Sequence, residues 1–473
     1  MVRTGLSGNE RSLVAIFFLA ALIFLLLLSN STLRDPDTYW HLAAGAWMRE
    51  HGTVPRTDSF SHTFAGEPWI AKEWLSQVLM SGAFSLAGWR GVVLFTAGTF
   101  ALTLSLLLTF LLRRVKATVA LGLVLLAVPL LAGSMIARPQ ALFFLLLVVW
   151  TGGLLRAVER RAPPAWWLLG VMALWANLHA TFPLGLGIAA LFGAEACLAA
   201  RPADRLRMAG RWLAFGLAAL AATGATPYGY GSLLVSAEFV GGNEGLPYIA
   251  EWQPFRPGLV QGLAVAVFLG ALAVSVLPRR NPARLLPVAF CFYLMLRHVR
   301  FAGLFAIVAV MALAGPLARR FPALASPAQP PDTRPGRAGP LAISLLAVMA
   351  VAILTLIRPA PGPAITPAAA LEAAQEAGAR GPVFNDYDFG GYLIFRGVPT
   401  FTDGRNDQIF RDGFTVAYFD TQRAAEDAPF LALLDRYGVT WALLRPGSEA
   451  AAKLERAGWR RVHEDAVAVA YLR

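Results

Sequence analysis

Eleven long apolar runs constrain this chain more than any other feature. They cover roughly residues 12–29, 91–112, 117–135, 139–157, 165–180, 182–199, 211–226, 259–277, 284–297, 301–317 and 339–357. A helix needs about 20 apolar residues to cross the hydrocarbon of a bilayer. The runs therefore predict an α-helical polytopic membrane protein of about 11 spans. Composition agrees: 57% of the residues are hydrophobic and 15% are charged, where a soluble chain carries about 25% charged residues. An ordinary soluble enzyme and a disordered chain are both excluded. The first run has features of a signal peptide, but it is long and further spans follow, so it is read as an uncleaved anchor. Cys197 and Cys291 lie in apolar runs and suggest neither a disulfide framework nor a metal cluster.

The net charge of +12 is accounted for by membrane orientation. With the N-terminus inside, the inner segments hold 19 basic residues and the outer loops 9. The inner set is Arg3, Arg11, Arg113, Arg114, Lys116, Arg156, Arg160, Arg161, Arg201, Arg205, Arg207, Arg211, Arg279, Arg280, Arg284, Arg319, Arg320, Arg334 and Arg337. Excess Lys and Arg mark cytoplasmic loops, so a cytoplasmic N-terminus is expected and no nucleic-acid partner is needed. A crossing helix at 74–87 would reverse this alternation, so that segment is expected to be interfacial or re-entrant. Pro-rich stretches at 321–338 and 358–364 punctuate the chain. They separate a membrane domain (1–357, with its first outer loop at 30–73) from a segment without long apolar runs (358–473). That segment alternates helix and strand signals: helices over 366–378, 428–437 and 448–457, strands over 382–385 and 441–445, and two final strands around a turn near Glu464. The expectation is a small extracytoplasmic α/β domain.

Chemically capable residues gather on the predicted outer side. The first loop opens RDPDTYWHL. Asp35 is a good N-cap and Pro36 suits the first helical position, so a helix from Pro36 to about His51 is expected, ended by Gly52. Asp37 and His41 share one stripe of it. Asp35 and Asp37 are catalytic candidates, with capping as the alternative for Asp35 and a surface role as the alternative for His41. The sequence SFSHTFAGEPWI suggests a hairpin turning at Gly66-Glu67, with Asp58 as a turn residue. Glu73 is either a supporting acid or a helix-start acid favoured by the macrodipole.

Arg138 lies midway through one apolar stretch, and Arg297, His298 and Arg300 lie midway through another. Ionisable groups at membrane depth are costly and so are functional candidates. The planar Arg fork suits phosphate, although snorkelling to lipid phosphates is also open. His179, in WANLHATFP, either supports the site or packs between spans. Glu251-Trp252 and Pro227-Tyr228-Gly229 serve as turns and anchors or line an acceptor site. In the C-terminal segment, Asp386, Asp388 and Asp403 with Arg405 either contact a ligand or form an acidic turn cluster. No GxxxxGK[ST] or GxGxxG element occurs, so nucleotide-driven chemistry has no support.

Together these landmarks resemble bacterial multispanning proteins of the GT-C glycosyltransferase type. The most specific string is DPDTYWHLAAGAWMREHGTVPRTDSFSHTFAGEPWIAKEWL. RPQALFFLL, WANLHATFPLGLG, RHVRF, NDYDFGGYL and FTDGR extend the likeness over nearly the whole chain. The wider class is similar in plan to protein mannosyltransferases, lipid A aminoarabinose transferases and oligosaccharyltransferase catalytic subunits. The resemblance implies transfer of a sugar from a polyprenyl-phosphate donor to an envelope acceptor (lipid, glycan or protein), with inversion, at the bacterial inner membrane. It implies a first-loop acid acting as base, which falls on Asp35 or Asp37, and cations binding the carrier phosphate, which fall on Arg138, Arg297 and Arg300 with His298. His41, Glu73 and His179 are expected in support. A full set of acidic metal ligands does not align, so no cofactor is required and a divalent metal stays unsupported. Two other classes remain open: a transporter of lipid-linked glycans, which should place ionisable groups near the midplane of two matching halves, and a non-catalytic membrane scaffold.

Overall fold

The computed structural model describes residues 5–240, 246–276, 282–327, 338–406, 408–411 and 413–473. Arg3, Arg279, Arg280, Arg334, Arg337 and most of the 321–338 linker lie outside the described residues. Each apolar run becomes a helix. In chain order the described helices begin α1 (Gly8–Leu27), α2 (Ser29–Thr32), α3 (Asp37–His51), α4 (Trp74–Leu112), α5 (Ala117–Leu131), α6 (Gln140–Arg160) and α7 (Leu168–Leu178). They continue with α8 (Phe182–Ala199), α9 (Arg205–Ala222), α10 (Gly231–Val240), α11 (Leu259–Val276), α12 (Leu285–Arg297), α13 (Ala302–Arg320) and α14 (Ala338–Leu356). Eight are long and apolar enough to cross a membrane; α7 and α12 are apolar but shorter. The protein is a helical multi-pass membrane protein.

The chain divides into two compact units. The helical unit comprises Met1–Ser29, Val93–Leu233 and Ala250–Arg358. Its core is α13, where every residue from Ala302 to Pro316 is buried. Against it pack α5, α6, α11 and α12. A helix apolar all round must be enclosed by others, and α13 is. By contrast α1 and α14 pack mainly on each other and expose large apolar side chains, including Phe24, Leu27, Leu341, Leu345 and Val348. Contiguous apolar exposure of this kind marks a lipid-facing surface.

At one end of the helical unit two ion pairs are buried. Arg114 grips Glu159 through Nε (3.2 Å) and Nη2 (2.7 Å), and Arg284 Nε donates to Glu195 at 2.6 Å. Both pairs join residues of the predicted inner segments. They fix helix ends to one another, since breaking a buried pair strands a charge.

The mixed unit comprises Asn30–Val92, Leu234–Ile249 and Pro359–Arg473. The first long loop therefore groups with the C-terminal segment and not with the spanning helices that flank it in the chain. Its elements are α15 (Ala368–Glu376), β1 (Val383–Asn385), α16 (Gly390–Phe395), α17 (Phe414–Arg423), α18 (Ala428–Arg436), β2 (Trp441–Leu444), α19 (Glu449–Arg456), β3 (Arg460–Glu464) and β4 (Val469–Leu472). The strands order β1-β2-β4-β3, with β1 and β2 parallel and the other pairs antiparallel. Every helix and strand expected here is found. Two short helices, α16 and α17, were not anticipated.

The loop enters this fold through Tyr39. Its ring meets Trp89, Tyr392 and Phe395 at centroid distances of 5.2–5.3 Å, and its hydroxyl bonds Thr366 Oγ1 at 2.8 Å. Burial pushes the phenol up to about 12 despite that hydrogen bond. Residues 57–69 do not form a regular hairpin. They make one bridge, Thr57 to Pro68, and a second to the C-terminal segment, Ser61 to Thr400. His62 Nε2 donates to the Val383 carbonyl (2.9 Å).

The helix expected at 74–87 is the first part of α4. It ends at Ala87 and Gly88, whose backbones are non-helical, Gly88 having φ +57. That left-handed value is what glycine permits, so the chain breaks there before the apolar half begins.

Candidate functional site

Two groups of the sequence-derived candidates are assembled, one in each unit. In the mixed unit, Asp35 ends the loop before α3 and its Oδ1 accepts the Asp37 N–H at 2.9 Å. Asp35 is thus not the expected N-cap: Pro36 takes that position and α3 begins at Asp37, while the Asp35 side chain satisfies the first helical N–H from one residue further out. Asp37 is the first residue of α3, where the dipole favours a negative charge. One turn on, His41 is buried and stacks on Trp40 with ring centroids 3.6 Å apart. The Gln77 amide donates to His41 Nδ1 (3.2 Å), and His41 Nε2 stands 4.0 Å from Glu73. Glu73 thus lies beside His41, and His41 is buried rather than at the surface.

The FTDGR motif reaches this group through Gly404. A Cβ there would lie 1.9 Å from Asp37 Oδ1 and 2.9 Å from Trp40 Nε1. The buried Trp40 indole N–H has no hydrogen-bond partner among the described residues. Only a residue without a side chain lets the Asp37 carboxylate sit there. Gly404→Ala is expected to displace that carboxylate or the turn that carries residue 404 and to cost about 1–3 kcal/mol of stability, because 1.9 Å leaves no room for a methyl group. Thermal unfolding of the variant in detergent checks this; an unchanged midpoint would show that the turn absorbs the methyl group.

Asp58, Asp403 and Arg405 form a separate, structural cluster in the same unit. All three are buried. Arg405 donates to Asp403 through Nε and Nη2 (both 2.8 Å) and to Asp58 through Nη1 (2.5 Å). Asp58 does accept turn N–H groups, from Phe60 and Ser61. Its larger role, bridging the loop to Arg405 across 347 positions of chain, had no local signal. Asp386 and Asp388 pair instead with Arg445, at 3.4 and 2.6 Å.

In the helical unit, four helix connections bring together Arg138, His179, Glu251 and the turn 298–301. Arg138 Nη1 donates to Glu251 Oε2 (2.7 Å) and Arg300 Nη1 to Glu251 Oε1 (3.2 Å). Arg300 also lies over the Trp252 ring, 4.3 Å from its centroid. Burial would raise the Glu251 carboxyl, but Arg300 and Arg138, with a smaller pull from His179, bring it down to about 2. His298 Nδ1 donates to the Trp252 carbonyl at 2.7 Å. His179 is buried, stacks on Phe143, and through Nδ1 accepts from the Thr181 hydroxyl (2.8 Å) and N–H (3.2 Å). Arg297 is exposed at the end of α12 and makes no described ion pair. Sequence reasoning treated Glu251 as a turn or wall residue; its two guanidinium partners come from connections 113 and 49 positions away.

Comparison with solved structures gives ArnT of Cupriavidus metallidurans bound to undecaprenyl phosphate, at 16% identity and a TM-score of 0.54, covering 96% of this chain and 97% of that one. It also gives the archaeal oligosaccharyltransferase AglB of Archaeoglobus fulgidus, in complex with an inhibitory peptide and a dolichol-phosphate, at 12% identity and a TM-score of 0.56, covering 90% and 69%. The fold is of the GT-C type. No protein-family model matches the sequence, and no curated protein matches it. On this GT-C fold, among the described residues, no three His, Cys, Asp or Glu side chains are grouped to hold a metal ion.

Proposed function

We propose that this protein is a membrane glycosyltransferase that moves a sugar from a polyprenyl-phosphate carrier to an extracytoplasmic acceptor, with inversion at the anomeric carbon. Its N-terminus lies in the cytoplasm and its mixed unit outside the inner membrane. The observation that carries the reading is the meeting of Arg138 and Arg300 on one carboxylate in the helical unit of a GT-C fold. Two guanidiniums from separate helix connections, partly buried, form a place for an anion. The solved ArnT structure, of the same fold, holds undecaprenyl phosphate.

The chemistry needs three things. A base takes the proton of the acceptor hydroxyl, which we assign to Asp37. The acceptor oxygen bonds to C1 as the bond from C1 to the phosphate oxygen breaks, its electron pair staying on the phosphate. Cations then hold that phosphate, the role of Arg138 and Arg300. Asp35 shapes the start of α3, His41 and Glu73 brace its next turn, and His298 holds the Trp252 turn beneath Arg300. A transporter would place such groups at the bilayer midplane; here Arg138, His179, Glu251 and Arg300 sit in helix connections, which favours a fixed catalytic seat.

The test is binding of undecaprenyl phosphate to detergent-purified protein at pH 5, where the phosphate carries a single charge. Arg138→Ala and Arg300→Ala should each weaken binding about tenfold or more, since charge-assisted hydrogen bonds contribute about 1.5–3 kcal/mol. Equal affinity in both variants would rule out this seat.

A further inference from the structure

Glu251 sits between the two arginines, and its surroundings hold it there. The Val299 N–H donates to the Gln253 carbonyl (2.9 Å) and the Phe255 N–H to the Leu296 carbonyl (3.3 Å). The His298 Nδ1–H anchors the Trp252 carbonyl between them. These ties fix the main chain that follows Glu251, and the two arginine contacts hold the carboxylate itself. With its carboxyl brought down to about 2, Glu251 is ionised at every physiological pH. Arg300 is only partly engaged by it: Nη1 alone makes the contact, and among the described residues its other N–H groups have no hydrogen-bond partner. A guanidinium held over an indole with donors unclaimed can take a further anion.

We propose that Glu251 is a resident counter-ion that sets the charge of phosphate this site accepts. With His179 and His298 neutral, Arg138, Arg300 and Glu251 together carry a net charge of about +1. That matches a phosphodiester, which carries one negative charge, as a polyprenyl-phosphate sugar does. The second charge of a phosphomonoester above its second pKa of about 6, or the higher charge of a diphosphate, would be desolvated in this partly buried seat without a counter-charge, a cost that can exceed the Coulombic gain. The inference rests on the reading that the carrier phosphate binds at Arg138 and Arg300. Two consequences follow. Diphosphate-linked carriers are poor ligands, and the freed polyprenyl phosphate, once doubly ionised, carries one charge that the seat leaves uncompensated and is released more readily than a diester.

The experiment uses full-length protein in detergent at pH 8 and three probes: farnesyl phosphate, farnesyl diphosphate and the methyl diester of farnesyl phosphate. Wild type should bind the diester most tightly. Glu251→Gln should shift preference toward the more charged probes, on the order of tenfold per added charge; Glu251→Asp should keep the wild-type order. If Glu251→Gln binds all three with unchanged ratios, the counter-ion role is wrong while the phosphate seat stands. If wild type binds none, the seat itself is wrong and this inference falls with it. A measurement on wild type alone guards against a variant that does not fold. Between pH 5 and 8 the affinity for farnesyl phosphate should fall relative to the diester as the monoester gains its second charge. The diester reports any titration of the facing His179 and His298. A ratio that rises with pH would overturn the proposal.

Discussion

Asp37→Asn is expected to abolish most sugar transfer while leaving the fold intact. Loss of a general base costs a factor of about 10²–10⁴, and Asn keeps the size of the side chain at the start of α3. The variant should still bind undecaprenyl phosphate, because the arginines assigned to the phosphate belong to the other unit. A fall in kcat with unchanged carrier affinity is therefore the expected signature. Asp35→Asn should cost much less, since an Asn side-chain oxygen still accepts the Asp37 N–H. The assay is transfer from a polyprenyl-phosphate sugar by purified protein. Wild-type turnover in Asp37→Asn would end the assignment, and equal losses in both variants would move the base to the pair.

Asp58→Ala is expected to be the most damaging single substitution for stability. It removes one of two carboxylates from Arg405, whose guanidinium is buried under Phe60 and Trp69. Breaking a buried ion pair by deleting one partner costs about 3–5 kcal/mol. The loss falls on the joint between loop 57–69 and the C-terminal segment, so that loop should become protease-sensitive first. Thermal unfolding and limited proteolysis in detergent, with the exposed Arg460→Ala as control, measure it. An Asp58→Ala midpoint indistinguishable from the control would show that the cluster contributes nothing. The same cluster implies that residues 358–473 expressed without the first loop lack half of Arg405's counter-charge.

Much of the fold was legible in the sequence, for particular reasons. Helices announced themselves by apolar length, and α3 by its Asp-Pro start and the Gly52 stop. The strands at 383–385, 441–444 and 469–472 are short and rich in apolar or aromatic side chains, while 460–464 (RRVHE) is polar and legible only as the partner of the last strand across a turn. The helices α16 and α17 were hidden because α16 begins with Gly390-Gly391 and α17 follows the turn-rich stretch after Asp403-Gly404. Both are short, and propensity alone does not carry a helix of that size.

The candidate sites divide in the same way. The residue types and their loops were readable: acids with a histidine one turn on in the first loop, arginines interrupting apolar stretches. What each residue touches was not. Asp58 has the sequence context of a turn residue, and Glu251 that of an anchor, yet each proves to be the partner of a distant arginine. Glu251 is the most consequential, because Arg138 and Arg300 meet on its carboxylate.

By itself the sequence determined the membrane class, the approximate helices, the α/β character of the C-terminal segment and the short list of chemically able residues. These follow from local properties: apolar length, residue period, capping and turn chemistry. Only the tertiary structure decided that the first loop belongs with the C-terminal segment, that Gly404 leaves room for Asp37, and that Glu251 holds two arginines. Those depend on side chains 49 to 367 positions apart. Burial makes each such pairing costly to leave unmade, and no local pattern records it.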